Sequence, residues 1–369
     1  MTRSVLSTRR GDVSLPQFVP DATRAVVRGV PAGALPRSGV ETILVSTAHL
    51  ATQPGTSVVR AVGGVHRFMG WSGPVISDSG GFQAFSLLTG QKGLATVSDA
   101  GLSYRFSPKQ RFRDLTPKSC IETQVHLGAD IVYCLDYCTH PLAPDAEQER
   151  SVALTIRWAA ECRAAFDRLV VDTPPQQRPK LFAVVQGGQR ADLRARCADA
   201  LMDLGFDGYG FGGYPIAAGQ LVDEVELTAS LLPPGAVLHG LGIGTPESLV
   251  AAWRCGYSIF DCTLPTRNAR RGVLYTELDT GSLAGDGKVS RIARMSDEKW
   301  VRASGPVDRD CDCELCAEYS AGYLAHLFRV EDSLAHTLAS LHNLRFYTRL
   351  TEALRQRSGC ASREPRDGA

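Results

Sequence analysis

Several things are scarce in this chain of 369 residues. No apolar run approaches the roughly 20 residues that cross a bilayer, and the opening MTRSVLSTRRGD lacks the apolar core of an export signal, so no membrane partner and a cytoplasmic protein are expected. Net charge is scarce too. Lys and Arg number 40 against 39 Asp and Glu, a formal charge of +1, so a polyanionic partner would have to be met by local patches. Two stretches qualify, RFSPKQRFRDLTPK (residues 105–118) and the arginines of residues 267–271. Internal repetition is absent beyond a strand-helix unit. Cysteine is not scarce. Eleven of them, in a chain without an export signal, point to free thiols and metal ligands and not to a disulfide framework.

With 44% hydrophobic residues the chain can bury one large core and an accessory piece. Short apolar runs recur at residues 42–45, 74–76, 131–135, 181–185, 208–213, 237–241 and 258–260, separated by amphipathic stretches at 146–169, 190–204, 220–232 and 246–255. Alternation of this kind predicts a parallel sheet covered on both faces. Seven runs and an eighth without a firm position suit a (β/α)8 TIM barrel, with a C-terminal zinc-binding subdomain after it. The expected divisions are a catalytic barrel with an N-terminal extension (1–278), the zinc-binding piece with closing helices (279–354) and a disordered tail (355–369). Asp78, Asp136, Gln186, Gly212 to Gly213 and Asp261 come at the ends of these apolar runs, and a barrel gathers such positions on one rim, where active sites form.

The stretch YSIFDCTLPTRNARRG places Asp261 at a strand end beside Arg267, Arg270 and Arg271. Its carboxylate can attack a carbon while guanidinium groups hold phosphates; an acid capping a strand beside a solvated loop is the plainer reading. In DSGGFQ, Asp78 is followed by two glycines and the ring of Phe82, which can stack on a planar base. Two rim acids suit double displacement, with Asp136 and Gln186 reading a heterocycle's edge. A carboxylate-pair glycosidase or a metal-dependent hydrolase fits the same residues. GYGFGG satisfies the dinucleotide-binding spacing, but Tyr214-Pro215 follows it where a helix should start, so a nucleotide cofactor is not expected. Cys311, Cys313 and Cys316 are spaced to wrap one tetrahedral ion, with a fourth ligand from His326, His336 or, preferred, His342. Three thiolates and an imidazole fill the shell, so one structural Zn2+ is expected.

Taken together, GGVHRFMGW with DSGGFQAFSL, LTPKS with LGADIVYCLDYCTHP, VVQGG, GFGG, GLGIGTPE, FDCTLPTRNARRG and the CDCELC to LHNLRFY pattern resemble the tRNA-guanine transglycosylase (queuine tRNA-ribosyltransferase) family. The resemblance runs from about residue 19 to about residue 350. It implies a (β/α)8 barrel with a zinc subdomain that exchanges guanine at the wobble position of G-U-N anticodons for a free 7-deazaguanine base, preQ1 or queuine. By matching motif, Asp261 resembles the nucleophile that forms a covalent ribosyl-aspartate, and Asp78 the general acid/base. Phe82, Asp136, Gln186 and Gly213 resemble the base-binding groups, Arg267 and Arg270 the residues that hold the tRNA anticodon loop, and Cys311, Cys313, Cys316 and His342 the zinc ligands. A homodimer is frequent in the family. Tyr137, where the family has Glu, and the Tyr214-Pro215 segment depart from the pattern beside the base pocket, and YRFSPKQRFRD departs on the nucleic-acid side. A DNA-guanine transglycosylase and a non-catalytic RNA-binding partner subunit are the alternatives.

Overall fold

The structure is a computed structural model that describes residues 4–90, 93–285 and 287–361. Eight strands form one sheet: β1 (Gln17–Pro20), β2 (Ile43–Val45), β3 (Val75–Ser77), β4 (Ile131–Tyr133), β5 (Lys180–Val185), β6 (Gly208–Phe211), β7 (Leu238–Gly240) and β8 (Ile259–Cys262). They neighbour one another in the order β1-β8-β7-β6-β5-β4-β3-β2 and every pairing is parallel. A parallel bridge between Asp21 and Leu44 joins the two ends, with Ala22 N–H donating to Leu44 O at 2.6 Å. The (β/α)8 barrel expected from the sequence is the architecture. Its eighth strand is β1, which the sequence did not reveal because Pro16 and Pro20 bracket so short a run. A proline is tolerated there because it stands at a strand end, where one missing N–H costs little of the ladder.

Side-chain alternation divides each strand between two cores. In β5, Leu181, Ala183 and Val185 pack outward against the helices, while Phe182 and Val184 point into the barrel. The interior core also takes Val19, Leu44, Ile76, Ile131, Tyr133, Val237 and Ile259. Leu6, Val13 and Leu15, on and beside an antiparallel hairpin (Val5–Thr8 with Gly11–Ser14), belong to the same core and plug one end. Buried Asp130 ties that end together, accepting from Arg9 Nε at 2.7 Å, His66 Nε2 at 3.0 Å and Val75 N–H at 2.8 Å. Full satisfaction by a cation and N–H donors holds the carboxyl below the usual range although burial alone would raise it.

The outer layer includes α1 (Gly81–Gly90), α2 (Pro117–Leu127), α3 (Asp145–Leu169), α4 (Ala191–Leu204), α5 (Asp223–Ser230), α6 (Pro246–Arg254) and α7 (Leu264–Ala269). Three of these lie within a residue of the stretches expected at 146–169, 190–204 and 246–255. The stretch expected at 220–232 is shorter as a helix: Gln220–Leu221 instead pairs with Ile216–Ala217 in a hairpin. Its turn residues Ala218 and Gly219 take φ of +49° and +82°, which no helix accepts.

A second core joins Ala269, Leu274, Ala293, Met295, Cys311, Cys313 and Leu324. The polar segment after residue 279 holds a strand, Arg291–Arg294, that pairs antiparallel with Val273–Thr276. The last helix, α9 (Ser333–Ala361), follows α8 (Ala321–Arg329) and spans both cores, with Ala335 and Leu338 in the second and Leu344, Tyr347 and Leu350 in the first. The helix passes residue 354, where the sequence placed the start of a tail, because RQRSGCA contains no proline to stop it. Residues 362–369 of that expected tail lie outside the described residues. No helix is long and apolar enough to cross a membrane among the described residues.

Candidate active site

Alternation inside the barrel decides which side chains reach its mouth. Two residues past an inward-pointing apolar residue comes another inward position: Val19 leads to Asp21, Ile76 to Asp78, Val184 to Gln186, Val237 to His239 and Ile259 to Asp261. There the strands end and the apolar filling stops. A cavity of about 420 Å³ opens, lined among others by Asp21, Asp78, Phe82, Asp136, Gln186, Gly213 and Asp261. All six positions read from the sequence as catalytic or base-reading meet in it.

Asp78 accepts from Thr47 N–H through Oδ1 at 2.8 Å and from Gln83 Nε2 through Oδ2 at 2.8 Å. Burial nevertheless pushes its carboxyl up to about 7, since those donors, with Ser46, offset only part of the lost hydration. Asp136, also buried, rises to about 6 for the same reason against the amide of Gln186, whose Nε2 donates to Oδ2 at 2.7 Å, and the Ser79 hydroxyl at 3.3 Å. A carboxyl near neutrality can give or take a proton at working pH. Asp261 differs. His239 Nε2 and Gly242 N–H both reach its Oδ1, at 3.0 and 3.1 Å.

Phe82 stands at the mouth 53% exposed, so core packing does not account for it. Its ring lies 6.3 Å from that of Phe85 and 6.4 Å from that of Tyr214, which also lines the cavity. Gly80 and Gly213 serve the backbone here. Gly80 has φ of +83° and a Cβ would stand 3.3 Å from Ala48 and Leu115; Gly213 has φ of +111°. Tyr137, the departure from the family's Glu, does not line the cavity and donates to Glu147. Arg267 and Arg270, on and just after α7, do not line the cavity. Arg267 is exposed, while Arg270 is half-buried and its Nη1 has no partner. Partial burial and the charges of Arg28, Arg267 and Arg271 lower the Arg270 pKa, with Asp21 opposing. These cations sit beside the cavity's acidic edge.

Three residues of the site escaped the sequence reading. Asp21 follows the concealed strand β1, and burial raises its carboxyl. His239 lies in VLHGL, where a single polar residue reads as part of the strand; alternation from Val237 would have found it. Its Nδ1 meets the Tyr133 hydroxyl at 2.5 Å. Arg194 is 2% exposed and pins the ends of β5 and β6, donating to Gly188 O at 2.8 Å and Gly212 O at 3.1 Å. It thereby holds the loops that carry Gln186 and Gly213, and nothing in ADLRARC announces that.

Away from the barrel, Cys311, Cys313, Cys316 and His342 bring their ligand atoms within 4.8 Å of one another. His342 Nδ1 faces the sulfurs of Cys313 and Cys316 at 3.5 and 3.3 Å, and its Nε2 donates to Tyr275 O at 2.8 Å. A fixed imidazole with Nδ1 turned to three thiols is a donor set for a soft, tetrahedral cation.

A closed parallel barrel with carboxylates, an amide and an exposed ring around one cavity at its mouth defines the class: a (β/α)8 barrel with a polar candidate active site at its rim. The family model for queuine tRNA-ribosyltransferase matches residues 2–357. The chain is 38% identical over 349 residues to the queuine tRNA-ribosyltransferase of Desulfosudis oleivorans, covering 94% of this chain and 85% of that one. It is likewise 38% identical to that of Aromatoleum aromaticum (96% and 90% covered) and 35% to that of Koribacter versatilis (95% and 88%). This chain belongs to the queuine tRNA-ribosyltransferase family and is a transglycosylase, a pentosyltransferase.

Proposed function

We propose that this protein exchanges guanine at the wobble position of a G-U-N anticodon for a 7-deazaguanine, through a ribose ester on Asp261. The observation that carries the reading is the convergence of Asp78 and Asp261 on one cavity that also holds Asp136, Gln186 and the exposed ring of Phe82. Relatives that match nearly the whole chain bear the name queuine tRNA-ribosyltransferase. A tRNA substrate implies work in the cytoplasm.

The polar groups divide the labour. Phe82 stacks on the base, and Gln186 with Asp136 and the backbone at Gly213 reads its edge. Both donors to Asp261 end on Oδ1, so Oδ2 keeps its lone pairs for attack on C1′ of the ribose. As the C1′–O bond forms, the C1′–N bond breaks and its electron pair leaves with guanine, which takes the proton of the Asp78 carboxyl and leaves Asp78 ionised. The incoming base then gives its ring proton to the Asp78 carboxylate while its nitrogen attacks C1′, and the Asp261 carboxylate leaves. No phosphodiester is cut and no outside energy is needed, because one glycosidic bond replaces another. In the ester the same Oδ1 is a carbonyl oxygen that still accepts from His239 and Gly242, which stabilises the charge that develops there.

Arg267 and Arg270 hold phosphates of the anticodon loop, and the unpartnered Nη1 of Arg270 supports that role. Cys311, Cys313, Cys316 and His342 hold one zinc ion, which fastens the second core and takes no part in the exchange. Incubation of the protein with tRNA and labelled guanine tests the whole reading: label should enter tRNA, and a covalent protein–RNA adduct should be trapped. Absence of both would reject it. A DNA duplex exchanged in place of tRNA would change the polymer alone.

A further inference from the structure

The antiparallel sheet between α1 and α2 contains a second cavity, of about 410 Å³, that the exchange chemistry leaves unused. It lies around the turn between the strands Gly101–Tyr104 and Arg113–Leu115 and is lined by Arg105, Phe106, Arg111, Phe112, Arg113 and Thr52 among others, with no carboxylate. Arg105 is committed to the fold. It donates to Gly93 O and Pro108 O at 3.1 Å each and lies 4.5 Å over the ring of Phe112. That fixes one face of Phe112, whose side chain is still 45% exposed. Arg111 and Arg113, on either side of it in sequence, are exposed, and neither enters an ion pair among the described residues.

The location narrows the ligand. The sheet rests on the helix Thr47–Thr52, with Tyr104 OH donating to Ala48 O at 3.4 Å and Phe106 stacked on His49 at 4.7 Å. The first residue of that helix donates its N–H to Asp78. The second cavity therefore stands on the same rim as the first, one helix away. An aromatic ring between two uncommitted guanidinium groups has the chemistry of a nucleotide site: the ring stacks on a base, the cations take its phosphate.

We propose that this cavity binds a single-stranded nucleotide of the substrate RNA that flanks the one being exchanged, with its base on Phe112 and its phosphate on Arg111 and Arg113. The proposal rests on the tRNA reading given above. It makes the second cavity a grip on the strand, independent of what enters the first.

The test is fluorescence anisotropy of a labelled anticodon stem-loop RNA across a salt series, with wild-type protein, Arg111→Ala/Arg113→Ala and Phe112→Ala. All three side chains are exposed, and circular dichroism checks that the variants fold. The double variant should bind about tenfold or more weakly at low salt, and its slope of log affinity against log salt should fall by about 0.7, one single-strand phosphate contact. Phe112→Ala should weaken binding about tenfold with the slope unchanged, because stacking releases no counterions. Binding of free guanine, measured by calorimetry, should be the same in all three. Wild-type affinity and slope in the double variant would overturn the proposal while leaving the tRNA reading intact. Failure of wild-type protein to bind the RNA would remove both.

Discussion

His239 Nε2 stands 3.0 Å from Oδ1 of Asp261, and the Tyr133 hydroxyl meets the other ring nitrogen. A carboxylate only accepts, so Nε2 carries the proton, Nδ1 is the acceptor and Tyr133 donates to it. The three groups form a chain that starts in the barrel core and ends on the Asp261 carboxylate. Asp261 is partly exposed to the cavity, while Tyr133 and His239 are buried. His239→Ala should lower kcat by about 10- to 150-fold, the worth of a hydrogen bond to a charged group of roughly 1.5–3 kcal/mol. The KM for free base should change little. His239→Gln, which restores a donor, should recover part of the rate; equal loss in both variants would mean that the imidazole serves packing alone.

Asp261→Asn removes the proposed nucleophile at nearly constant volume. Exchange of labelled guanine should vanish and no covalent adduct should be trapped, while the circular dichroism spectrum and zinc content stay as in the wild type. Substantial residual exchange would move the nucleophile elsewhere.

Asp78 binds its proton more tightly folded, at about 7, than a free carboxyl does at 3.8. The stability that this contributes is complete below the unfolded value and is lost as pH rises through about 7. Asp78→Asn cannot ionise, so its Tm should decline less than that of the wild type between about pH 5 and about pH 8. The same variant should fail to incorporate an incoming base. A Tm profile parallel to wild type would show that Asp78 is ionised throughout.

Chelation of the Cys311, Cys313, Cys316 and His342 site, or Cys313→Ser, should release one zinc per chain, read by elemental analysis. Loss of a structural ion costs several kcal/mol, which in a chain of this size lowers Tm by roughly 10 °C. Purified protein without stoichiometric metal would remove the claim.

Arg270→Ala should weaken tRNA binding and reduce its salt slope by about 0.7, one phosphate contact, while free-base affinity is unchanged. Parallel loss of both affinities would instead give Arg270 a role in shaping the base cavity.

Much of this molecule was legible in one dimension. Asp78, Asp136, Gln186 and Asp261 could be found because a strand that ends at a barrel rim must exchange apolar residues for polar ones at that point. Cys311, Cys313 and Cys316 are tied by spacing alone, since ligands so close in the chain need no fold to bring them together. Only Gln220 and Leu221 of the hairpin fall within the stretch expected at 220–232, because the apolar positions of Leu221, Val222 and Val225 fit a helical period, while the positive φ of Ala218 and Gly219 that turns the chain back leaves no mark in composition. β1 was missed because pairing, not propensity, makes it a strand: eight parallel strands close only when Gln17–Pro20 lies between β8 and the Asp21–Leu44 bridge.

The sequence by itself determined the alternation of strands and helices, the rim acids and the cluster of thiols, because each depends on residues near one another in the chain. Only the tertiary structure decided that Asp78 and Asp261 share a cavity, that Tyr133 and His239 back the second of them across 128 residues from Tyr133 to Asp261, and that Arg194 pins the loops that carry Gln186 and Gly213. Those relationships arise where separate strands converge on the barrel axis. Burial there sets the proton affinities, and burial belongs to the folded molecule as a whole.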